Sequence, residues 1–330
     1  MKDNLISIII PSYNRAHLII ETLESIRKQT YGNWECIIVD DRSTDYTEQV
    51  VCDYIKDKPR FSYYNRPLEK LKGANSCRNY GLSISNGDYI IFFDSDDVLT
   101  STSFENRVKE FQKNDNLDIV IFEMGKFSGN KFQKESKSLV INGDWDVALN
   151  AFLTLKTLPW SICRPTYKKS FIDNIKFNEN LQRFQDIDFN IRLLVLNKPI
   201  YISIPEIDCY YRIADNNNPR KPEFFTHVIQ SVAIFIESIT TCLNDSRIDL
   251  PKQKIKEWIF DIIRNYMNSN VSISILHKTI SKANNLLNFN KGELFLIYSL
   301  GYLNKAYKYK KGYHFLYQKI KINYFKIIIK

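Results

Sequence analysis

Glycine and proline are scarce, ten of each in 330 residues, which excludes collagen-like and low-complexity architectures. Histidine is scarcer still: His17, His227, His277 and His314 are scattered, show no metal-ligand spacing and read as structural or surface residues. The six cysteines, at 36, 52, 77, 163, 209 and 242, contain no C-x-x-C pair. They read as reduced thiols of a cytosolic protein, not as a disulfide framework or a zinc site. "MKDNLISIIIPSYN" offers a short apolar run stopped by Pro11, too short for a signal-peptide core, and no stretch is expected to approach the ~18–20 apolar residues that span a bilayer. The first turn, "PSYNRAH", lacks glycine. A glycine-rich phosphate loop, as a nucleotidyltransferase would carry near its first strand, is therefore missing.

What the chain does have is an ample apolar content, 44% of residues with 14% aromatic, enough for one large α/β domain and a smaller companion. Charge is uneven. Residues 216–330 hold 18 Lys and Arg against 7 Asp and Glu, so the net +9 belongs to that segment. The last thirty residues have eight lysines, no acid, and tyrosines and phenylalanines interleaved. Such a segment suits anionic lipid headgroups or nucleic-acid phosphates, with a solvated basic helix as the plainer reading.

Short β-branched runs at 6–10, 35–40, 60–64, 88–94 and 117–124 alternate with amphipathic stretches near 15–29, 44–57, 74–86 and 102–114. This is the pattern of a Rossmann-like, mostly parallel sheet flanked by helices. The pattern becomes mixed over about 125–215, including "SLVIN", "WSICRPTYKKSFI" and a helix "QDIDFNIRLLVL". After the Asn/Pro-rich break "ADNNNPRK", helical periodicity appears at 222–244, 250–268, 273–287 and 292–310. We therefore divide the chain into an α/β domain over 1–215, with halves 1–100 and 101–215, and a basic, aromatic-rich helical region over 216–330.

In a parallel sheet, ligands bind beyond the carboxyl ends of the strands. Three such ends carry chemistry: "PSYN", "VDDRSTD" and "DSDD". Asp94, Asp96 and Asp97 repel one another unless a cation sits among them, and hard divalent ions such as Mg²⁺ or Mn²⁺ favour oxygen ligands. An acidic turn capping the helix near Ser103 explains one carboxylate better than three. At the second strand end, Ser43 to Asp45 supply an N-cap, which leaves Asp41 free for a ligand. Tyr13 can stack on a base or serve as an ordinary turn residue.

"SIIIPSYNRAHLIIETLESIRKQTYGNWECIIVDDRSTDYT", followed by "GANSCRNYGLSISNGDYIIFFDSDD", resembles family 2 glycosyltransferases of the GT-A fold over about residues 5–100, and more loosely to 212. The resemblance implies an inverting, nucleotide-sugar-dependent enzyme, with UDP favoured. It places Pro11 and Tyr13 beside the base, Asp41 toward the base imide, and Arg78 toward the nucleotide, although Arg78 also reads as a helix-surface ion pair. Asp94 and Asp96 match the family's D-x-D, with Asp96 as the direct ligand of Mn²⁺ or Mg²⁺ and Asp94 toward the ribose or the metal shell.

"LQRFQDIDFNIRLL" resembles the helix that presents the catalytic base and points to Asp186; Asp188 pairs with Arg192 at i, i+4. A helix N-terminal charge complementing the dipole is the plainer role for Asp186. Gln185 stands where the family often has Glu, and Ala214 where it often has His. Trp160 is a candidate for the acceptor side or for the core. The implied function is hexosyl or N-acetylhexosaminyl transfer to a glycan or lipid-linked acceptor in surface polysaccharide biosynthesis. A cytoplasmic site, peripheral at the inner membrane face through the C-terminal region, is expected, with nucleic acid ranked lower as a partner. The alternative is an inactive sugar-nucleotide-binding scaffold protein.

Overall fold

The computed structural model describes residues 4–129, 131–133, 143–155, 158–213, 220–308 and 310–328. The contacts divide the chain into two units. The first comprises Met1–Phe152, Thr157–Glu179 and Gln185–Asn217; the second comprises Leu153–Lys156, Asn180–Phe184 and Asn218–Lys330.

In the first unit, strands and helices alternate as the apolar runs dictate: β1 (Ile6–Ser12), α1 (Ile19–Arg27), β2 (Trp34–Asp40), α2 (Thr47–Ile55), β3 (Phe61–Asn65), α3 (Ala74–Ile84) and β4 (Tyr89–Phe92). A two-residue β5 (Val98–Leu99), which no periodicity announced, precedes α4 (Ser103–Lys113), β6 (Ile119–Ser128) and β7 (Lys131–Gln133). Then follow α5 (Trp145–Leu153), β8 (Pro165–Lys168), α6 (Lys169–Ile172), α7 (Gln185–Asn197) and β9 (Tyr201–Arg212). "SLVIN" lies outside the described residues.

One sheet runs β3-β2-β1-β4-β8-β6-β9-β5, with β7 on β6. Its first four strands are parallel; β8 runs antiparallel to both neighbours, and β6 and β9 are again parallel. The sheet is thus Rossmann-like in its first half and mixed in its second. Ile8, Ile9 and Ile10 of β1, Ile38 and Val39 of β2, and Ile90 to Phe92 of β4 are fully buried, as unbroken apolar runs covered on both faces require. Gly81 lets α3 approach β1, since a Cβ there would collide with the Ile9 side chain. The second half is tied by buried ion pairs. Arg107 of α4 meets Asp208 of β9 at 2.6 Å, and Arg164 meets Glu123 of β6 at 2.8 Å.

The second unit is built on α8 (Pro222–Asp245), α9 (Lys252–Tyr266), α10 (Ile273–Leu287), α11 (Lys291–Tyr307) and α12 (Tyr313–Ile328). Contrary to the sequence expectation, α8 is long and apolar enough to cross a membrane, but most of that stretch is buried. Its apolar positions are taken up by packing on α9 and α10. Asn290 and Glu293 form a reciprocal cap at the start of α11. Farther along α11, Gly301 leaves room for Leu276 of α10. The basic final segment contains α12, which docks on α9 through Tyr324, stacked on Phe260 at 4.1 Å.

Candidate active site

Because β1, β2 and β4 are parallel and aligned, with Ser12 opposite Asp40 and Ile9 opposite Phe92, the loops leaving them emerge on one side of the sheet. Side chains lock the first two loops together. Ser43 Oγ accepts the Asn14 N–H at 2.8 Å and donates to Asp40 at 2.7 Å. The N-cap of α2 is Tyr46, which makes no side-chain cap bond; of the expected Ser43 to Asp45, Asp45 alone reaches the first turn, accepting the Thr47 N–H at 3.0 Å.

A turn folds the third loop back: the Asp97 N–H donates to the Asp94 carbonyl at 3.3 Å. The helix-cap explanation fails, because none of these carboxylates reaches α4: its N-cap, Thr102, makes no side-chain cap bond, and the Phe104 N–H donates to Gln29 Oε1 at 3.0 Å. Each carboxylate instead meets a cationic residue from a different part of the first unit. Asp94 accepts from Arg78 of α3 at 2.8 Å, and Asp96 faces Arg15 at 3.4 Å. Asp97 accepts the backbone N–H of Arg212 at 3.0 Å, and the Arg212 Nε donates to the Asp96 carbonyl, also at 3.0 Å.

Burial pushes Asp97 well above the ordinary carboxylate range, and Asp94 and Asp96 push it further. Burial also raises Asp96, with Arg15 opposing and Asp94 adding to the rise. The turn is therefore short of positive charge.

Oxygens of Asp94 and Asp97 and the Cys163 sulfur all lie within 4.8 Å of one another. Two converging carboxylates suit a hard divalent cation. The thiol does not. Burial holds the Cys163 pKa well above its usual value, with Asp94 and Asp97 adding to the rise, so it stays protonated. The carboxylates thus fit Mn²⁺ or Mg²⁺. The converging pair, however, is Asp94 with Asp97, while Asp96 leans toward Arg15.

Arg78 is buried, only 5% exposed, so it is no helix-surface ion pair. Its positive charge is felt by both Asp94 and Asp186. Asp186 lies in the first turn of α7, where its Oδ2 accepts the Ile162 N–H at 3.1 Å. Burial raises its pKa, Arg78 opposes the rise, and Asp94 adds to it. A half-buried carboxylate whose proton affinity is raised near an acidic turn has the properties of a general base. Asp188, two residues on and so on the opposite side of α7, is paired with Arg192 at 2.7 Å. Gln185 is the first residue of α7 and half-buried.

Of the residues expected beside a nucleotide, Pro11 is buried near the end of β1. Tyr13 follows, 38% exposed, with the Lys72 ammonium 4.3 Å from its ring centroid and bonded to its hydroxyl at 3.1 Å. Asp41 is not free as expected: it is buried and paired with Arg66, whose Nη1 donates to the Pro67 and Lys70 carbonyls. Trp160 also requires correction as an acceptor-side residue. It is 1% exposed, packs edge-on against Phe152 and donates its indole N–H to Asn190 at 2.9 Å, so it belongs to the core. Ala214 lies outside the described residues.

A cavity of ≈ 590 Å³ opens over the acidic turn, lined also by Lys126, Cys163, Tyr211 and Arg212. Arg15, Arg66, Arg212 and Cys163 were not singled out from sequence. Each acts through a partner at least 25 positions away, and only the basic residue in "PSYNRAH" gave a hint.

Comparison with known proteins agrees with this architecture. The chain is 30% identical over 219 residues to the minor teichoic acid biosynthesis protein GgaB of Bacillus subtilis, covering 64% of this chain and 23% of that protein. It is 38% identical over 114 residues to the UDP-Glc:α-D-GlcNAc-diphosphoundecaprenol β-1,3-glucosyltransferase WfgD of Escherichia coli, covering 34% and 44%. The chain thus spans less than half the length of these two relatives.

Among solved structures, S. aureus TarS 1-349 in complex with UDP-GlcNAc aligns with TM-score 0.56 at 19% identity, covering 92% of this chain and 93% of that one. The mannosyltransferase PcManGT of Pyrobaculum calidifontis, in complex with GDP-Man and Mn²⁺, aligns with TM-score 0.54 at 16% identity, covering 98% and 86%. Both likenesses show the GT-A fold. The family model "Glycosyl transferase family 2" matches residues 7–178, more than half of the chain, which therefore belongs to glycosyl transferase family 2.

Proposed function

We propose that this glycosyltransferase moves a hexosyl or N-acetylhexosaminyl unit, with inversion, from a UDP-sugar to a hydroxyl of a lipid-linked or glycan acceptor in surface polysaccharide assembly. The carrying observation is the position of Arg78, bonded to Asp94 and within electrostatic reach of Asp186. A charge shared by the acidic turn and the half-buried Asp186 argues that donor and acceptor meet in one cavity.

In this reading Asp186 accepts the proton of the acceptor hydroxyl. The freed oxygen pair forms the new bond to the anomeric carbon, while the old bond to the diphosphate oxygen breaks and its electrons leave with the nucleotide. Attack from the face opposite the leaving group inverts the anomeric centre. Arg78 holds Asp94 in place and lends positive charge to the departing diphosphate. Asp94 and Asp97, with Asp96 beside them, would hold Mn²⁺ or Mg²⁺, which supplies charge neutralisation at the diphosphate. Pro11, Tyr13 and Asp41, with Arg66 behind it, form the wall for the base.

UDP is favoured because WfgD is named for UDP-Glc and TarS was solved with UDP-GlcNAc, although PcManGT was solved with GDP-Man. A lipid-linked acceptor is supported by the name of WfgD. Peripheral attachment to the inner membrane face is supported by α12. Phe315, Lys319, Ile322 and Lys326 recur at helical spacing, and the two apolar members are 63% and 52% exposed. An anionic surface suits that stripe better than nucleic acid does, because the apolar members have acyl chains to enter. A thermal-shift panel of UDP-Glc, UDP-GlcNAc and GDP-Man with Mn²⁺ tests the donor class. A shift with a UDP-sugar is expected, and no shift with any of them would refute the reading.

A further inference from the structure

Four arginines surround the acidic turn, and three are firmly held. Arg78 bonds Asp94 at 2.8 Å, Arg164 bonds Glu123 at 2.8 Å, and Arg212 bonds Glu21 at 2.6 Å. Arg15 differs. Its backbone is anchored, since its N–H donates to Thr47 Oγ1 at 2.8 Å and its carbonyl accepts the Ile19 N–H at 2.9 Å. Its guanidinium, however, reaches Asp96 only at 3.4 Å, while its buried Nε, like that of Arg78, has no hydrogen-bond partner among the described residues. A buried donor without an acceptor costs free energy, and a planar guanidinium with a spare N–H is shaped for phosphate oxygens.

We propose that Arg15 is a ligand of the donor diphosphate that occupies Asp96 until the donor arrives. The proposal rests on the nucleotide-sugar reading above. Asp96 cannot serve a guanidinium and a divalent cation equally well. Once the cation and diphosphate enter, the carboxylate turns to the doubly charged ion. The released guanidinium meets the diphosphate oxygens beside it, and its Nε gains an acceptor. At the guanidinium one anion replaces another, and the cation's charge offsets that of the diphosphate, so the exchange leaves the net charge of the pocket nearly unchanged.

The exchange makes an opposite-sign prediction that a purely structural Arg15 would not. In the full-length protein, Arg15→Gln should bind Mn²⁺ alone about two- to fivefold more tightly by calorimetry, since Asp96 loses a half-exposed competitor. The same variant should bind UDP in the presence of Mn²⁺ about tenfold or more weakly, through loss of a charge-assisted hydrogen bond. Arg15→Lys should recover part of the UDP affinity. In an Asp96→Asn background the gain in Mn²⁺ affinity should vanish.

Parallel weakening of both ligands, or no change in either, would overturn the exchange. A wild-type protein that binds neither UDP nor GDP would overturn the donor reading itself and this proposal with it. Wild-type binding with unchanged variants overturns the exchange alone.

Discussion

Replacing Asp186 by Asn changes one charge and almost nothing else. The amide oxygen can still accept the Ile162 N–H now bonded at 3.1 Å, and Arg78 keeps Asp94 at 2.8 Å. Donor affinity should therefore stay within about twofold, because the contacts to the diphosphate are untouched. Transfer should fall far more. A positioned general base is worth about 10²–10⁴ in rate, or roughly 3–5 kcal/mol of barrier.

Stability should move the other way. Burial raises the Asp186 pKa, so the folded protein holds that proton more tightly than the unfolded chain does. The ionised carboxylate then costs stability above its folded pKa, and the cost disappears as pH falls through that value. Asn removes the cost, so the melting temperature at pH 7.5 should hold or rise slightly. In the wild type, the acid limb of kcat/KM should sit above ordinary carboxylate values near ~3.9, and the variant should lose that limb. Calorimetry with UDP and Mn²⁺, a melting curve and a transfer assay across pH provide the test. A variant with kcat within about threefold of wild type would refute Asp186 as base.

Asp97→Asn should raise the melting temperature of the ligand-free protein at neutral pH, because burial and two neighbouring aspartates lift the Asp97 pKa. The gain should shrink as pH falls and the wild-type carboxyl takes up its proton, which melting curves from pH 4 to 8 would follow. Arg107→Ala strands Asp208, 2% exposed and bonded through both oxygens. It should cost about 3–5 kcal/mol, measured by urea unfolding. For α12, Lys319→Glu with Lys326→Glu should release the protein from vesicles containing phosphatidylglycerol, with about 1 kcal/mol lost per lysine removed. Unchanged co-sedimentation would reject the membrane face.

Local signals were enough for most of the α/β unit. Apolar runs long enough for strands, spaced by helix-period stretches, placed β1 to β4 and their crossover helices within a few residues. They also put the chemistry at the strand ends, because parallel strands leave their loops on one side. Asp94, Asp96, Arg78 and Asp186 stood out as candidates because each stands in an ordered motif, and the fold bonds Arg78 to Asp94 within electrostatic reach of Asp186. The antiparallel insertion of β8 between β4 and β6 was not legible, since "RPTYK" is too short to carry a period.

The partners were decided only in three dimensions. Trp160 became core because Asn190, thirty positions on, offers its indole an acceptor. Asp41 acquired Arg66, and Asp96 acquired Arg15, from separate loops. Sequence alone determined which ionisable groups are present and on which segment they lie. Charge neutralisation depends on distance, and only the folded sheet brought Arg15, Arg78 and Arg212 to the three aspartates.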